Sequence, residues 1–205
     1  MGVWGLRLAI VAAACVLLYF VPLVRVTRIV EVDSEGFFNA TDFAETFWTE
    51  RLIPATTEAT SATQVVAALS KDAEEAGEQH GRRVGVSRGF LLFVQGAGKV
   101  DSVGEYGMTL KVDGGGEIAL STRKVFGATI RDATGLLKGD EAPSSREYNA
   151  IANELNRLAT QQAIAKLENA VVGDRLRFAG CAKVVSATGY KPPLEIIPVL
   201  VEAAE

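Results

Sequence analysis

The alternation of apolar and polar positions divides the chain into an apolar leader and a patterned remainder. From Leu8 to Val24 there is no charged residue, and Arg7 and Arg25 bracket the run. As a helix rising about 1.5 Å per residue, this stretch reaches roughly 25 Å, the short end of a membrane span. Residues 1–24 therefore read as a retained signal anchor or as a lipoprotein signal, with a buried core helix as the plain alternative. Ala12-Ala13-Ala14-Cys15 resembles a lipobox, which would make Cys15 a lipidation site. Either route holds the remainder to a membrane by its N-terminus, in an extracytoplasmic position.

Periodic elements follow. Asp42-x-x-Glu45 has the form of a capping box, with Phe43, Phe47, Trp48 and Leu52 along one helical face and Pro54 as the stop. Ser61-x-x-Gln64 opens a second helix that turns Val65, Val66, Leu69 and Ala73 inward and ends at Gly77. A Thr/Ala linker over Ala55–Thr60 separates the two. The pattern then changes to β: Gly89–Gln95 is a continuous apolar run, and Lys99–Val103 extends it beyond a Gly-Ala-Gly break. Met108–Val112 alternates, Asp113-Gly114-Gly115-Gly116 turns the chain, and Glu117–Thr122 returns. Val125–Ile130 is a further candidate strand. Ser144-x-x-Glu147 caps a long helix over residues 144–170, whose stripe is Tyr148, Ile151, Ala152, Leu155, Leu158 and Ala159. After Ala159 the stripe loses phase, since Gln162 and Lys166 take its positions while Ile164 and Leu167 point elsewhere. Arg175–Val185 and Ile196–Val201 are the last strands.

Strands, a long helix and two more strands suit an α+β fold built on a small OB-like Greek-key β-barrel, the long helix inserted before the last two strands. A twisted antiparallel sheet packed on one helix has the same order. The expected organisation is an anchor over 1–24, a short-helix subdomain over 25–80 and the barrel over 81–205.

Composition narrows the chemistry. The chain has 205 residues, is 48% hydrophobic and carries a formal net charge of −4, which suits a folded core and disfavours a nucleic-acid binder. Cys181 is the one cysteine outside the leader and reads as a small buried hydrophobe. His80 lies in a polar stretch without a partner at metal spacing. No metal or cofactor is expected. Gly85-Val86-Ser87-Arg88-Gly89 has the letters of a nucleophile elbow, but a strand follows where a helix is needed, and the one histidine lies upstream. Gly96-Ala97-Gly98-Lys99 lacks the Ser or Thr of a phosphate loop and reads as a bend or bulge in a curved strand. No catalytic set emerges, and no enzymatic activity is expected.

Two features remain as candidate contacts. Arg131 and Asp132 interrupt a β-like run before a loop; on a strand they would point to opposite faces and could not pair simply. Arg131 either ties this loop to carboxylates and carbonyls or recognises an anion or a partner's carboxylate. Asn149, Asn153 and Asn156 recur at spacings of four and three, a polar strip beside the apolar stripe of the long helix. That strip is a solvated face, a source of partners for buried backbone groups, or a contact surface.

Phe38–Ala55, Val94–Val103, Gly127–Leu137, Tyr148–Arg157, Gly173–Cys181 and Glu195–Glu202, taken in order, resemble the bacterial family called predicted periplasmic lipoproteins, of unknown function. The resemblance implies an N-terminally anchored periplasmic protein at the inner membrane, with an OB-like fold and a helical subdomain. Such proteins are often encoded beside ribose-type sugar ABC transporters, which implies an accessory role in carbohydrate uptake and a transporter component as partner. The expected function is thus non-enzymatic partner binding. The alternative is a module holding a sugar or anion on the barrel face near Arg131.

Overall fold

The computed structural model describes residues 38–83, 89–185 and 189–204. The leader over 1–24, Cys15 and most of the Gly85–Gly89 motif lie outside the described residues.

Five strands close on themselves. β3 (Gly89–Gly104), β4 (Gly107–Val112) and β5 (Glu117–Ser121) run as an antiparallel meander. β5 pairs parallel with β7 (Leu194–Ala203), β7 pairs antiparallel with β6 (Arg175–Val185), and β6 returns to β3 over Gly89–Lys99. Two short strands, β1 (Thr60–Ser61) and β2 (Gly81–Arg83), lie on the other edge of β3. The helices are α1 (Ala40–Phe47), α2 (Ala62–Lys71), α3 (Ala73–His80), α4 (Thr129–Thr134) and α5 (Ser145–Ala159). Among the described residues, no helix is long and apolar enough to cross a membrane.

The β3–β6–β7 wall is buried on both faces, which explains why the β3 sequence is apolar without interruption. Leu92 and Val94 point into the barrel with Leu110, Ile118, Phe178 and Ile196, where α2 adds Val65 and Leu69. Leu91 points the other way, with Ala179, Cys181 and Val199, onto a second core made with Phe47, Trp48, Ile130, Ile151 and Leu155 of the helices. A register shift between Ala179 and Gly180 places Pro198 where the ladder is irregular and changes the inward parity of β7 from Leu194 and Ile196 to Val201.

Several expectations are corrected. The helices of residues 40–80 pack as part of one compact unit with the barrel among the described residues, α1 and α2 supplying side chains to the two cores flanking the wall. Asn39, not Asp42, caps α1, accepting from the N–H groups of Thr41 and Asp42. Pro54 does not stop that helix. A π turn over Trp48–Leu52 intervenes, and Pro54 enters the first turn of the α segment Ile53–Ala55, where its missing N–H costs little. Gly77 does not end the second helix; the break falls at Asp72, which caps α3, and Gly77 is buried within α3 against the Phe90 ring.

The Gly-Ala-Gly segment neither breaks β3 nor bulges. The irregularity falls later, between Val100 and Ser102, and Gly98 serves close approach, since a Cβ there would collide with the Lys111 carbonyl. The candidate strand Val125–Ile130 is a loop leading into α4. The long helix keeps its cap, Ser144 accepting from the N–H groups of Arg146 and Glu147. A π turn over Thr160–Ile164, followed by the α turn Ala165–Leu167, then rotates Ala163, Ile164 and Leu167 into the cores. That turn accounts for the lost phase.

Candidate functional site

α5 divides the expected polar strip between two environments. Its N-terminal half meets α4. Because Arg131 and Asp132 lie on a helix and not on a strand, the two neighbours do pair: Arg131 Nε donates to Asp132 Oδ1 at 2.7 Å and Nη2 to Oδ2 at 3.2 Å. Nη1 donates to the Tyr148 carbonyl at 3.0 Å and to Asn149 Oδ1 at 3.1 Å, and the guanidinium carbon lies 3.8 Å from the Tyr148 ring centroid. Arg131 is only 8% exposed. Four hydrogen bonds and a ring face make it a fastener between α4 and α5. Asn149 belongs to this fastener, although the rest of its side chain is exposed.

One and two turns further on, Asn153 and Asn156 line a cleft of about 610 Å³ between α5 and the segment that leaves β5. The opposite wall is Thr122–Phe126, with Arg157, Thr160 and Gln161 completing it. Asn156 is 6% exposed. Its Nδ2 donates to the Gly127 carbonyl at 2.8 Å, a carbonyl presented by a glycine at φ +78°. A carbonyl only accepts, so this bond fixes the amide orientation and leaves Oδ1 as the atom without a hydrogen-bond partner. Arg157 donates to Glu154 and Gln161, each at 2.7 Å, and to Glu45 on α1 at 3.2 Å.

Large apolar side chains stand exposed at the cleft and on the neighbouring β3–β4 hairpin. Phe126 is 71% exposed, Tyr106 55% and Val103 52%. Lys124 Nζ lies 5.3 Å from the Phe126 ring centroid, and the Arg123 guanidinium 4.9 Å from that of Tyr106. The Thr122 N–H donates to the Tyr106 carbonyl at 3.0 Å, which ties the β3–β4 hairpin tip to the cleft wall. Arg123 also faces Glu195 at a loose 3.7 Å.

The structure therefore groups Asn149 with Arg131 and Asp132, apart from Asn153 and Asn156, although helical spacing puts the three asparagines on one strip. Tyr106, Arg123, Phe126 and Arg157 were missed. Their placement depends on the loop after β5 lying against a helix some thirty residues later, a contact without a local signature. Cys181 is fully buried and burial pushes its thiol up, so it is inert packing. Among the described residues, no group of three or more His, Cys, Asp or Glu side chains could hold a metal ion. Lys99 continues β3 where a phosphate loop would begin a helix.

An OB-fold protein of known crystal structure from Thermotoga maritima is similar to this chain, with a TM-score of 0.71 at 24% sequence identity. The match covers 82% of this chain and 100% of that one, and it establishes the shared fold. No curated protein matches. The family model described as "Predicted periplasmic lipoprotein (DUF2291)" matches residues 11–202, nearly the whole sequence, and the chain belongs to that family.

Proposed function

We propose that this protein is a non-enzymatic accessory protein, anchored in the inner membrane and facing the periplasm, that binds a component of a sugar ABC transporter. Exposed Tyr106 on the β3–β4 hairpin and exposed Phe126 at the cleft, with Arg123 and Lys124 against their respective rings, carry this reading. Aromatic residues and arginine are enriched where proteins dock, because they bury much area at small entropic cost. The cations suit an acidic partner surface, and family membership supports an anchored, periplasm-facing position.

Co-purification of the full chain with the subunits of a sugar transporter from its host, in mild detergent, tests the proposal. The subunits are expected to be retained by the native chain and depleted about tenfold by Tyr106→Ala combined with Phe126→Ala. No retention, or retention indifferent to these changes, overturns it. The alternative of a ligand at the barrel face near Arg131 has less support, because that guanidinium already makes four protein contacts.

A further inference from the structure

The interior of the cleft, as distinct from its rim, poses a separate chemical problem. Asn156 Oδ1 is buried, unpartnered and held in that orientation by the bond from Nδ2 to Gly127. A buried acceptor left so is costly unless a donor reaches it. The side chains lining the cleft include three cations, Arg123, Lys124 and Arg157, and no carboxylate, in a chain whose net charge is −4. Two of the three have acidic partners outside the lining, whereas Lys124 leans on the Phe126 ring. A volume of about 610 Å³ falls in the range of small-molecule sites.

We infer that the cleft binds a small hydroxylated organic anion of the sugar-acid or hydroxy-acid class. A ligand hydroxyl donates to Asn156 Oδ1, the Asn153 amide and Thr122 hydroxyl meet further hydroxyls, and the anionic group lies against Lys124 and Arg123. Oδ1 is closed off from solvent although Asn156 lines the cleft, so the ligand has to part the lining. Phe126 and Lys124, both exposed, have the room to move. The inference goes beyond the partner-binding proposal and does not require it.

The experiment is titration of the ¹⁵N-labelled full chain in detergent micelles with three probes: gluconate, glucose and sulfate. Gluconate carries hydroxyl donors and charge, glucose donors alone, and sulfate charge alone. Gluconate is expected to shift the backbone amides of residues 122–127 and 153–161 saturably, glucose to bind at least about tenfold more weakly, and sulfate to give no saturable shift. Lys124→Glu, an exposed change, is expected to weaken gluconate about tenfold with the remaining spectrum preserved. Val103→Ala, exposed on the hairpin and outside the cleft lining, is expected to leave gluconate binding unchanged, which separates this site from the docking surface. Absence of shifts with every probe, equal binding of sulfate or glucose with gluconate, or indifference to Lys124→Glu overturns the inference.

Discussion

Two polar clusters share helix α5, and their accounts close differently. Around Arg131, the buried cation meets a bidentate carboxylate, a carbonyl, an amide oxygen and a ring face, so the site resembles a completed joint. Around Asn156, one donor is matched and one acceptor is left over on a residue that lines a cleft bearing three cations. Burial is nearly equal at the two residues. Satisfaction, and not depth, therefore separates a residue that holds the fold from one that has something left to bind.

The largest expected effect breaks the first cluster. Arg131→Met leaves the Asp132 carboxylate and the Tyr148 carbonyl short of donors, and should cost about 3 kcal/mol in urea denaturation. Adding Asp132→Leu removes the stranded charge and should recover part of that loss; a double variant as unstable as the single one would mean that packing, not charge, is at stake. At the second cluster, the contrast lies between two replacements of one residue. Asn156→Asp sets a carboxylate oxygen against the Gly127 carbonyl and should cost about 2 kcal/mol. Asn156→Leu, which abolishes the unpartnered acceptor along with the bond, should stay within about 1 kcal/mol of the native chain. Equal losses would deny that Oδ1 is unpartnered in the native protein.

A third, more exposed cluster sharpens the contrast by its pH response. Arg51 donates to Glu141 at 2.5 Å and also to the Leu136 carbonyl, clasping the loop after α4. That hydrogen bond is the main reason why the Glu141 carboxyl titrates below its usual value; burial opposes it, and the Lys138 N–H assists. A lowered folded value means stability that is present above the unfolded pKa and lost as pH falls through the folded one. Stability should thus decline by less than about 1 kcal/mol on acidification below pH 4.5, and Glu141→Gln should flatten that decline in melting curves. The smallest effect belongs to Lys124→Ala, which should move the melting temperature by no more than about 0.5 kcal/mol of stability is worth.

The sequence was readable where local chemistry decides. The alternation of Met108, Leu110 and Val112 with the Asp-Gly-Gly-Gly turn marks the β4–β5 hairpin, and Ser144 marks the start of α5. It misled where a short element carries no period. α4 spans six residues, too few for a stripe, and the apolar Val125, Phe126 and Ile130 before and within it look like strand. Arg131 and Asp132 diverge on a strand but pair on this helix. Of the candidate contacts, Asn153 and Asn156 reach the cleft because helical spacing was right, while its opposite wall required tertiary structure.

The pairing of β1 and β2 with β3 has a further consequence, for solubility. Thr60 and Ser61 pair with Val94 and Gln95, and Gly81–Arg83 pairs with Phe90–Leu92, so the first third of the molecule masks the free edge of β3. That edge is Phe-Leu-Leu-Phe-Val-Gln, uncharged and free of proline and glycine, the composition of strands that stack into cross-β aggregates. β1 and β2 therefore act as a molecular edge guard, and a fragment beginning near residue 84 would expose a template for self-association along a strand that is quiet in the intact chain.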